Sequence, residues 1–275
     1  MTQRSILITG CSSGIGLSAV RIMKSRGWRV FATARRDEHL EHLTSGADVE
    51  ALHLDLAKPA TIAACAAEVT ERTQGSLYAL FNNGAYGQPG AIEDLPAETL
   101  RRQLEVNVIG THDLTQRLLP GMLAQRRGRI VQNSSVLGLI SGPFRGAYSA
   151  SKFALEGLTD AMRMELAGSG IKVSLIEPGP IRTRFIENAI AAAQEHIDLE
   201  NSRHAARYTA MISALQAGGR QTFKLEPEAV VWKLVHAVES KRPRRRYYVT
   251  TPTYMAAAAK RILPTAAIDW LALRN

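Results

Sequence analysis

A tyrosine and a lysine lie four residues apart in the segment Tyr148-Ser149-Ala150-Ser151-Lys152. At this spacing, two side chains lie one turn apart on the same face of a helix. A phenol has an unperturbed pKa of about 10, so it is a poor acid–base catalyst at neutral pH. A fixed ammonium beside it favours the phenolate. The pair Tyr148 and Lys152 is therefore a candidate for general acid–base chemistry.

A serine pair precedes this segment. Ser134-Ser135 follows the apolar run Arg129–Asn133, and Ser135 lies 13 residues before Tyr148. A hydroxyl at this position can bond the substrate oxygen that Tyr148 protonates or deprotonates. Taken alone, a Tyr and a Lys at this spacing also arise by chance on a protein surface. Here the Tyr148–Lys152 pair occurs together with the serine pair and with the glycine-rich loop described next. Chance is therefore a minor explanation of the spacing.

A glycine-rich segment follows the first apolar run, and a helical pattern begins within it. Glycines at a strand-to-helix turn let a phosphate approach closely, and the helix N-terminus offers free N–H groups. The spacing GxxxGxG is neither GxGxxG nor a P-loop, and an ordinary Gly- and Ser-rich turn is the alternative. Its place after the first strand favours a dinucleotide phosphate. The candidate phosphate-binding residues are Gly10, Ser12, Ser13, Gly14, Ile15 and Gly16.

The end of the second apolar run indicates which dinucleotide binds. A fold that prefers NAD usually carries an acidic residue there, which bonds the ribose 2′-OH. Here the run ends in Ala34-Arg35-Arg36, and the first carboxylate is Asp37. Two guanidinium groups suit a 2′-phosphate, although a solvated arginine pair is the alternative. The sequence therefore predicts NADP (as NADPH in reduction) over NAD.

The elements that must position these residues alternate along the chain. Short apolar runs suit buried parallel strands, and helical patterns lie between them. This order predicts an α/β fold: a single-domain, Rossmann-like, doubly wound parallel sheet of about seven strands with helices on both faces. We expect residues 1–251 to form the dinucleotide-binding and catalytic domain, with residues 181–225 inserted as a substrate lid, and 252–275 to form a helical C-terminal tail. The strands are expected at 5–9, 29–33, 51–54, 77–82, 128–133, 172–177 and 247–251, and the main helices at 14–26, 59–74, 97–125, 147–168 and 226–239.

Composition excludes several classes of protein. The 275 residues are 45% hydrophobic and 21% charged, which is ordinary for a globular chain and sets aside disorder, collagen and coiled coil. Cys11 and Cys65 have no metal-binding spacing and are expected to be free thiols. The apolar run at the N-terminus is too short for a signal peptide, so a cytoplasmic protein is expected.

The net charge of +9 leaves a rival class open, a protein that binds nucleic acid or an anionic membrane through its basic surface. Its support is the basic run 241–246 and the cluster 126–129. Few aromatic residues interleave these runs, which favours solvated turns and predicts no nucleic-acid partner. A second rival is a catalytically silent NADP-binding regulator. The intact set of Asn107, Ser135, Tyr148 and Lys152 argues against it.

At this point residues 5–251 resemble the short-chain dehydrogenase/reductase family of the Tyr-Lys type. The resemblance rests on TGCSSGIG at 9–16, NNGA at 82–85, Asn107, the serine pair, YSASK at 148–152 and Pro178-Gly179. More narrowly, EPGPIRT at 177–183 and YSASKFALEGL resemble the branch that contains 17β-hydroxysteroid and retinol dehydrogenases and bacterial NADP-dependent aldehyde and ketone reductases.

The resemblance implies a role for each matching residue. Tyr148 is expected to be the general acid and base, Lys152 to hold the nicotinamide ribose, Ser135 to orient the substrate, and Asn107 to hold a water that relays protons to Lys152. The matching cofactor contacts are Asp55 for adenine, Asn83 and Gly84 for the adenosine ribose, Ser13 and Arg35 for the 2′-phosphate, and Pro178, Gly179, Ile181 and Thr183 around the nicotinamide. It also implies a homodimer or homotetramer.

One departure from the family pattern concerns Gly84-Ala85, which replaces the usual Ala-Gly. If the second position requires a positive φ, Ala85 is strained there.

The expected substrate site has apolar walls, so a small apolar aldehyde, ketone or alcohol is predicted. Its candidate residues are Leu137, Phe144 and Phe185. Lid helices and core or dimer packing are equally open interpretations of the insertion. For the C-terminal tail, packing on protein is favoured over contact with a membrane surface.

Overall fold

Seven strands form one parallel sheet in the computed structural model, which describes residues 3–47, 49–217 and 222–274. The sheet order is β3-β2-β1-β4-β5-β6-β7, and every pairing between neighbours is parallel. The strands are Ser5–Ile8 (β1), Arg29–Ala34 (β2), Glu50–His53 (β3), Ala79–Asn82 (β4), Gly128–Asn133 (β5), Ile171–Glu177 (β6) and Arg246–Tyr248 (β7).

Helices cover both faces of this sheet, which confirms the predicted doubly wound architecture. The helices are Gly14–Ser25 (α1), Asp37–Ala47 (α2), Pro59–Arg72 (α3), Ala97–Leu104 (α4), Gly110–Ala124 (α5), Gly146–Glu165 (α6), Phe185–His196 (α7), Ala205–Gln216 (α8), Glu228–Glu239 (α9), Thr251–Ile262 (α10) and Thr265–Arg274 (α11). One apolar core joins the sheet to α1, α2 and α9, and the other joins it to α3, α5 and α6.

The strand order reverses between β1 and β4, and this point locates the site. Chain segments that follow parallel strands meet at the carboxyl edge of the sheet, and at a switch point they leave a crevice between them. The glycine-rich loop follows β1, and Asn83-Gly84 follows β4. The serine pair follows β5 in the adjacent position. The candidate residues from three separate parts of the chain therefore share one edge.

Two helical features differ from the prediction. The expected helix 97–125 is interrupted by a π-helical segment, Glu105–Ile109, which separates α4 from α5. Helix α2 was not among the predicted helices; it lies in a polar stretch, and Leu43 is its buried residue. The other predicted elements occur with ends shifted by a few residues.

The insertion 181–225 contains α7 and α8, and its residues 218–221 lie outside the described part of the chain. In the tail, α10 buries Thr253, Ala256 and Ala257, whereas α11 has no buried residue. Within the described ranges, the structure contains no helix long and apolar enough to cross a bilayer.

Both cysteines are free, as predicted, and buried. Burial raises the pKa of each thiol to about 12. At neutral pH they are therefore protonated and poor nucleophiles.

Candidate active site

Helix α6 presents Tyr148 and Lys152 toward the ends of β4 and β5. The Lys152 Nζ atom lies 5.6 Å from the centroid of the Tyr148 ring, and the lysine side chain is almost fully buried. The Ser135 hydroxyl lies close enough to the Tyr148 phenol to lower its pKa, and Ser135 Oγ also accepts a hydrogen bond from Leu137 N at 3.1 Å. The structure therefore brings together the three residues that spacing alone had grouped.

A chain of hydrogen bonds links Lys152 to the glycine-rich loop. Lys152 Nζ donates to the main-chain oxygen of Asn133 at 2.7 Å. The Asn133 side-chain amide donates to Asn83 Oδ1 at 3.0 Å, and Asn83 Nδ2 donates to the main-chain oxygen of Thr9 at 2.9 Å. Asn133 and Thr9 were not among the predicted site residues. In the sequence, each is a polar residue at the end of an apolar run.

Asn107 lies at the centre of the π-helical segment and is buried. Its Nδ2 donates to Tyr86 O at 2.9 Å and to Ser151 Oγ at 3.1 Å, while its Oδ1 accepts from Tyr86 N at 3.2 Å. Gln103 Nε2 also donates to Tyr86 O, at 3.0 Å. The Asn107 amide therefore fastens the segment after β4 to helix α6, a role that sequence reasoning did not anticipate.

The pKa values in this site are governed by burial. Burial raises the pKa of Tyr148 to about 12, although the Ser135 hydroxyl and the charge of Arg145 act to lower it. Burial also lowers the pKa of Lys152 to about 8, against the negative charge of Glu156, which raises it. The sequence predicted a lowered pKa for the tyrosine. In the protein alone the pKa is raised instead, because loss of water disfavours the phenolate more than the nearby polar groups favour it.

The glycine-rich loop provides an open cradle at the N-terminus of α1. Gly10 and Gly14 have φ values of +70° and +55°, in the left-handed region that favours glycine. A Cβ atom on Gly16 would lie 2.1 Å from the main-chain oxygen of Gly10. Ser13 is the N-cap of α1, but its hydroxyl makes no capping hydrogen bond. Within the described part of the chain, the loop therefore keeps backbone N–H groups and a hydroxyl that does not cap the helix available, which fits a bound phosphate.

The two arginines after β2 are in different environments. Arg36 Nη1 lies 3.4 Å from Glu38 Oε1, and both side chains are exposed. The guanidinium of Arg35 is also exposed and forms no ion pair with any residue that the structure describes. Arg35 is therefore the better placed of the two to meet a phosphate.

The other predicted cofactor residues lie along the same edge. Asp55 follows β3, where its Oδ1 accepts from Ala57 N at 3.0 Å. Gly84 approaches the glycine-rich loop so closely that a Cβ on Gly10 would lie 2.8 Å from Gly84 Cα. Neither Gly84 nor Ala85 has a positive φ, so the reversed order causes no backbone strain.

The segment after β6 contacts both the serine pair and the glycine-rich loop. The Pro178 oxygen accepts from Val136 N at 2.8 Å, next to Ser135. Ile181 forms a β-bridge with Leu225. Thr183 borders Gly14, where an added Cβ would come within 2.9 Å of the threonine methyl group, whereas Gly179 packs closely on Thr250.

Phe185 covers the Tyr148 ring, with 5.3 Å between the ring centroids. This packing depends on Gly87, because a Cβ there would lie 2.6 Å from Phe185 Cζ. Phe144, at φ +60°, contacts the Tyr208 ring of the insertion at 5.2 Å, and Leu137 is half-buried in the turn after Ser135. Of the three predicted substrate residues, Phe185 therefore contacts Tyr148 directly, whereas Phe144 packs on the insertion and Leu137 lies next to Ser135.

The insertion is fastened over this region by polar contacts. Tyr208 OH donates to Asp94 Oδ2 at 2.8 Å and accepts from Ala91 N at 2.7 Å. Ser202 Oγ also donates to Asp94 Oδ2, at 2.7 Å. Helices α7 and α8 thus pack on the segment that follows β4.

The basic run 241–246 contains one inward-facing arginine. Arg246 donates to Glu177 Oε1 and to Asp160 Oδ2, each at 2.7 Å, and pairs with Glu156 as well. Burial raises the pKa of Glu177 to about 8, and the charge of Glu156 adds to this effect. Arg246 therefore pairs with buried or partly buried acidic side chains. The other basic residues of the run are exposed: Lys241, Arg242, Arg244 and Arg245.

Strand order, switch point and glycine-rich loop together define a Rossmann-type α/β protein. A family model described as short chain dehydrogenase matches residues 4–194. The chain therefore belongs to the short-chain dehydrogenase/reductase family of oxidoreductases, as its motifs predicted.

Similar proteins include bacterial and human members of this family. The chain is 45% identical over 267 residues to the uncharacterized oxidoreductase YbbO of Escherichia coli, covering 97% of this chain and 93% of that protein. It is 34% identical over 264 residues to human 17-beta-hydroxysteroid dehydrogenase type 1, covering 91% and 78%.

Solved structures of similar proteins hold both dinucleotides. A short-chain dehydrogenase/reductase from Burkholderia phymatum in complex with NAD is 26% identical, with a TM-score of 0.79 and coverage of 94% of this chain and 92% of that one. A single-substitution variant of actinorhodin polyketide ketoreductase with NADPH is 28% identical, with a TM-score of 0.73 and coverage of 90% and 95%.

Proposed function

We propose that this protein transfers a hydride between NADP(H) and the carbonyl or alcohol carbon of an apolar aldehyde, ketone or alcohol, with Tyr148 as general acid and base. The observation that carries the proposal is the meeting of Tyr148, Ser135 and Lys152 at the carboxyl edge of the sheet, beside the glycine-rich loop. The family supports the reaction class. The Phe185 ring packed on Tyr148 supports an apolar substrate.

The dinucleotide, when bound, supplies or accepts the hydride. The cradle of Gly10, Gly14 and Gly16 would hold its phosphates at the N-terminus of α1. The exposed guanidinium of Arg35, which has no ion-pair partner among the described residues, and the Ser13 hydroxyl, which does not cap α1, favour a 2′-phosphate, and so NADP over NAD. Asp55, Asn83, Ile181 and Thr183 would line the adenosine and nicotinamide ends.

The proton chemistry belongs to Tyr148. In reduction its hydroxyl would donate a proton to the developing alkoxide, while the Ser135 hydroxyl stabilises the negative charge on the same oxygen. The Lys152 ammonium would hold the nicotinamide ribose and stabilise the phenolate that remains. Phe185 covers the tyrosine and would exclude water from the reacting atoms.

The proposal is tested by a screen of aldehydes, ketones and alcohols that follows NADPH and NADH absorbance in parallel. We expect turnover of at least one apolar carbonyl compound, with NADPH preferred. The Tyr148→Phe variant should retain NADPH binding, measured by fluorescence titration, and lose about 10²- to 10⁴-fold in kcat. Near-normal turnover in this variant would overturn the role of Tyr148.

A further inference from the structure

Arg145 occupies a fixed position beside the proposed acid–base residue. It is the last residue before α6, three positions before Tyr148. Its backbone N–H donates to Gly142 O at 3.2 Å, its carbonyl accepts from Ser149 N at 2.8 Å, and it forms a β-bridge with Gly90. The side chain therefore leaves the backbone from a well-anchored point next to the phenol.

The guanidinium of Arg145 lacks the hydrogen-bond partners that other half-buried arginines have among the described residues. Arg29, Arg129, Arg163 and Arg246 are also half-buried, and each one bonds a carboxylate or a main-chain carbonyl. Arg145 is half-buried, yet its guanidinium makes no hydrogen bond or ion pair with any residue in the described ranges.

Partial burial of an unpaired cation is costly, because the group loses water without gaining a counter-charge. Burial accordingly lowers the pKa of Arg145, and among the described residues the Tyr148 phenol is the group that acts on its charge. A charged group kept in such an environment, inside a candidate active site, indicates a ligand of opposite charge.

The geometry of the fold argues that this ligand is not the dinucleotide phosphate. The glycine-rich loop follows β1, whereas Arg145 begins the helix that follows β5, and β4 lies between these two strands. Arg145 is instead adjacent to Phe144 and directly precedes the helix that carries Tyr148. It therefore faces the part of the site where the substrate carbonyl would meet the phenol.

We propose that Arg145 binds an oxyanion of the substrate, so that the substrate is an apolar aldehyde or ketone carrying a carboxylate, phosphate or sulfonate group a few bonds from its carbonyl. A guanidinium suits such a group because its planar fork can donate two parallel hydrogen bonds to a pair of oxygens. The inference rests on the proposed function of Tyr148 and narrows its substrate class.

The test uses matched aldehydes with NADPH: 3- and 4-carboxybenzaldehyde, their methyl esters, and benzaldehyde. For the wild-type protein we expect kcat/KM to be about 10-fold or more higher for at least one acid than for its ester, mainly through a lower KM. Arg145→Gln should abolish this preference, because kcat/KM falls about 10-fold or more further for the acids than for the esters, whereas loss of the Arg145 charge beside Tyr148 affects both alike. Arg145→Lys should recover part of it. Arg207→Gln, which removes an exposed charge near Phe144, is the matched control and should keep the preference.

Inhibition by phenylphosphonate and benzenesulfonate, compared with benzoate, then tells which oxyanion is preferred. Equal kcat/KM for acids and esters in the wild type would overturn the proposal, as would an equal loss for both in Arg145→Gln. If no carbonyl compound is reduced at all, the proposed function fails. In that case, calorimetric titration of the NADP-loaded protein with 4-methylbenzoate tests anion binding at Arg145 independently of turnover. The proposal requires that the wild type binds this anion and that Arg145→Gln does not.

Discussion

Lys152 Nζ donates a 2.7 Å hydrogen bond to the main-chain oxygen of Asn133, the last residue of β5. Because Asn133 directly precedes the serine pair, this bond ties helix α6 to the end of the strand that leads into Ser135. The same asparagine reaches through Asn83 to Thr9 at the start of the glycine-rich loop. Lys152 and the glycine-rich loop are therefore joined by one chain of hydrogen bonds.

The first prediction concerns pH. Lys152 has a pKa lowered to about 8 by burial, with Glu156 acting to raise it, so its ammonium is lost as pH rises through this value. We expect the rate of carbonyl reduction to fall above about pH 8. In Glu156→Gln the fall should begin at lower pH, because one negative charge that favours the ammonium is gone.

The measurement is the pH profile of kcat/KM for reduction, from about pH 6 to about pH 10. Asp160→Asn is the control, since it removes a carboxylate of the same Arg246 cluster that acts on Glu156 but not directly on the Lys152 pKa, so a smaller shift is expected. If the alkaline limb of the profile does not move in Glu156→Gln, the fall in rate is not caused by deprotonation of Lys152.

The second prediction concerns cofactor choice. Arg35→Ala should raise the Kd for NADPH by about 10-fold or more and leave the Kd for NADH nearly unchanged, because a charge-assisted bond to the 2′-phosphate is lost. Arg36→Ala should have a smaller effect, since that guanidinium already has Glu38 beside it. Fluorescence titration with both dinucleotides measures this. Equal NADPH affinity in Arg35→Ala and in the wild type would show that Arg35 does not bind the 2′-phosphate.

The third prediction concerns the packing of Phe185. Gly87→Ala places a methyl group where it would lie 2.6 Å from Phe185 Cζ, so the ring must move away from Tyr148. We expect KM for the carbonyl substrate to rise by about 10-fold, with NADPH affinity unchanged. Steady-state kinetics on Gly87→Ala and on the double variant Gly87→Ala/Phe185→Ala test the cause. We expect the double variant to have the same KM as Phe185→Ala alone. Additive increases in KM would contradict a steric clash between the added methyl group and Phe185.

The fourth prediction concerns stability. Burial raises the pKa of Glu177 to about 8 in the folded protein, so the folded state binds this proton more tightly than the unfolded chain does. The stability that the protonated carboxyl contributes is complete below the unfolded-state pKa and is lost as pH rises through about 8.

Relative to Glu177→Gln, the free energy of unfolding of the wild type should fall by roughly 1–3 kcal/mol between about pH 5 and about pH 8. Chemical denaturation of both proteins at the two pH values measures the difference. A constant difference would show that Glu177 keeps the same charge in the folded and unfolded states.

Much of the site was predictable because its determinants are local. The one-turn spacing of Tyr148 and Lys152 on a helix, and the glycines at the first strand-to-helix turn, follow from short-range backbone geometry. The apolar runs predicted the parallel sheet for the same reason. The interruption at Asn107 was not predictable, since its amide bonds Tyr86 and Ser151, which are distant in sequence.

The sequence by itself thus determined the fold class, the family and the group of residues that meet at the sheet edge, through spacings within single elements and the order of elements along the chain. Only the tertiary structure decided which charges have partners. Arg246 lies in a basic run that was predicted to be a solvated turn, yet it contacts three acidic side chains from α6 and β6. Arg145 has no such partner among the residues that the structure describes. Whether a charge is paired depends on residues that folding brings together from far along the chain, and no local pattern records that contact.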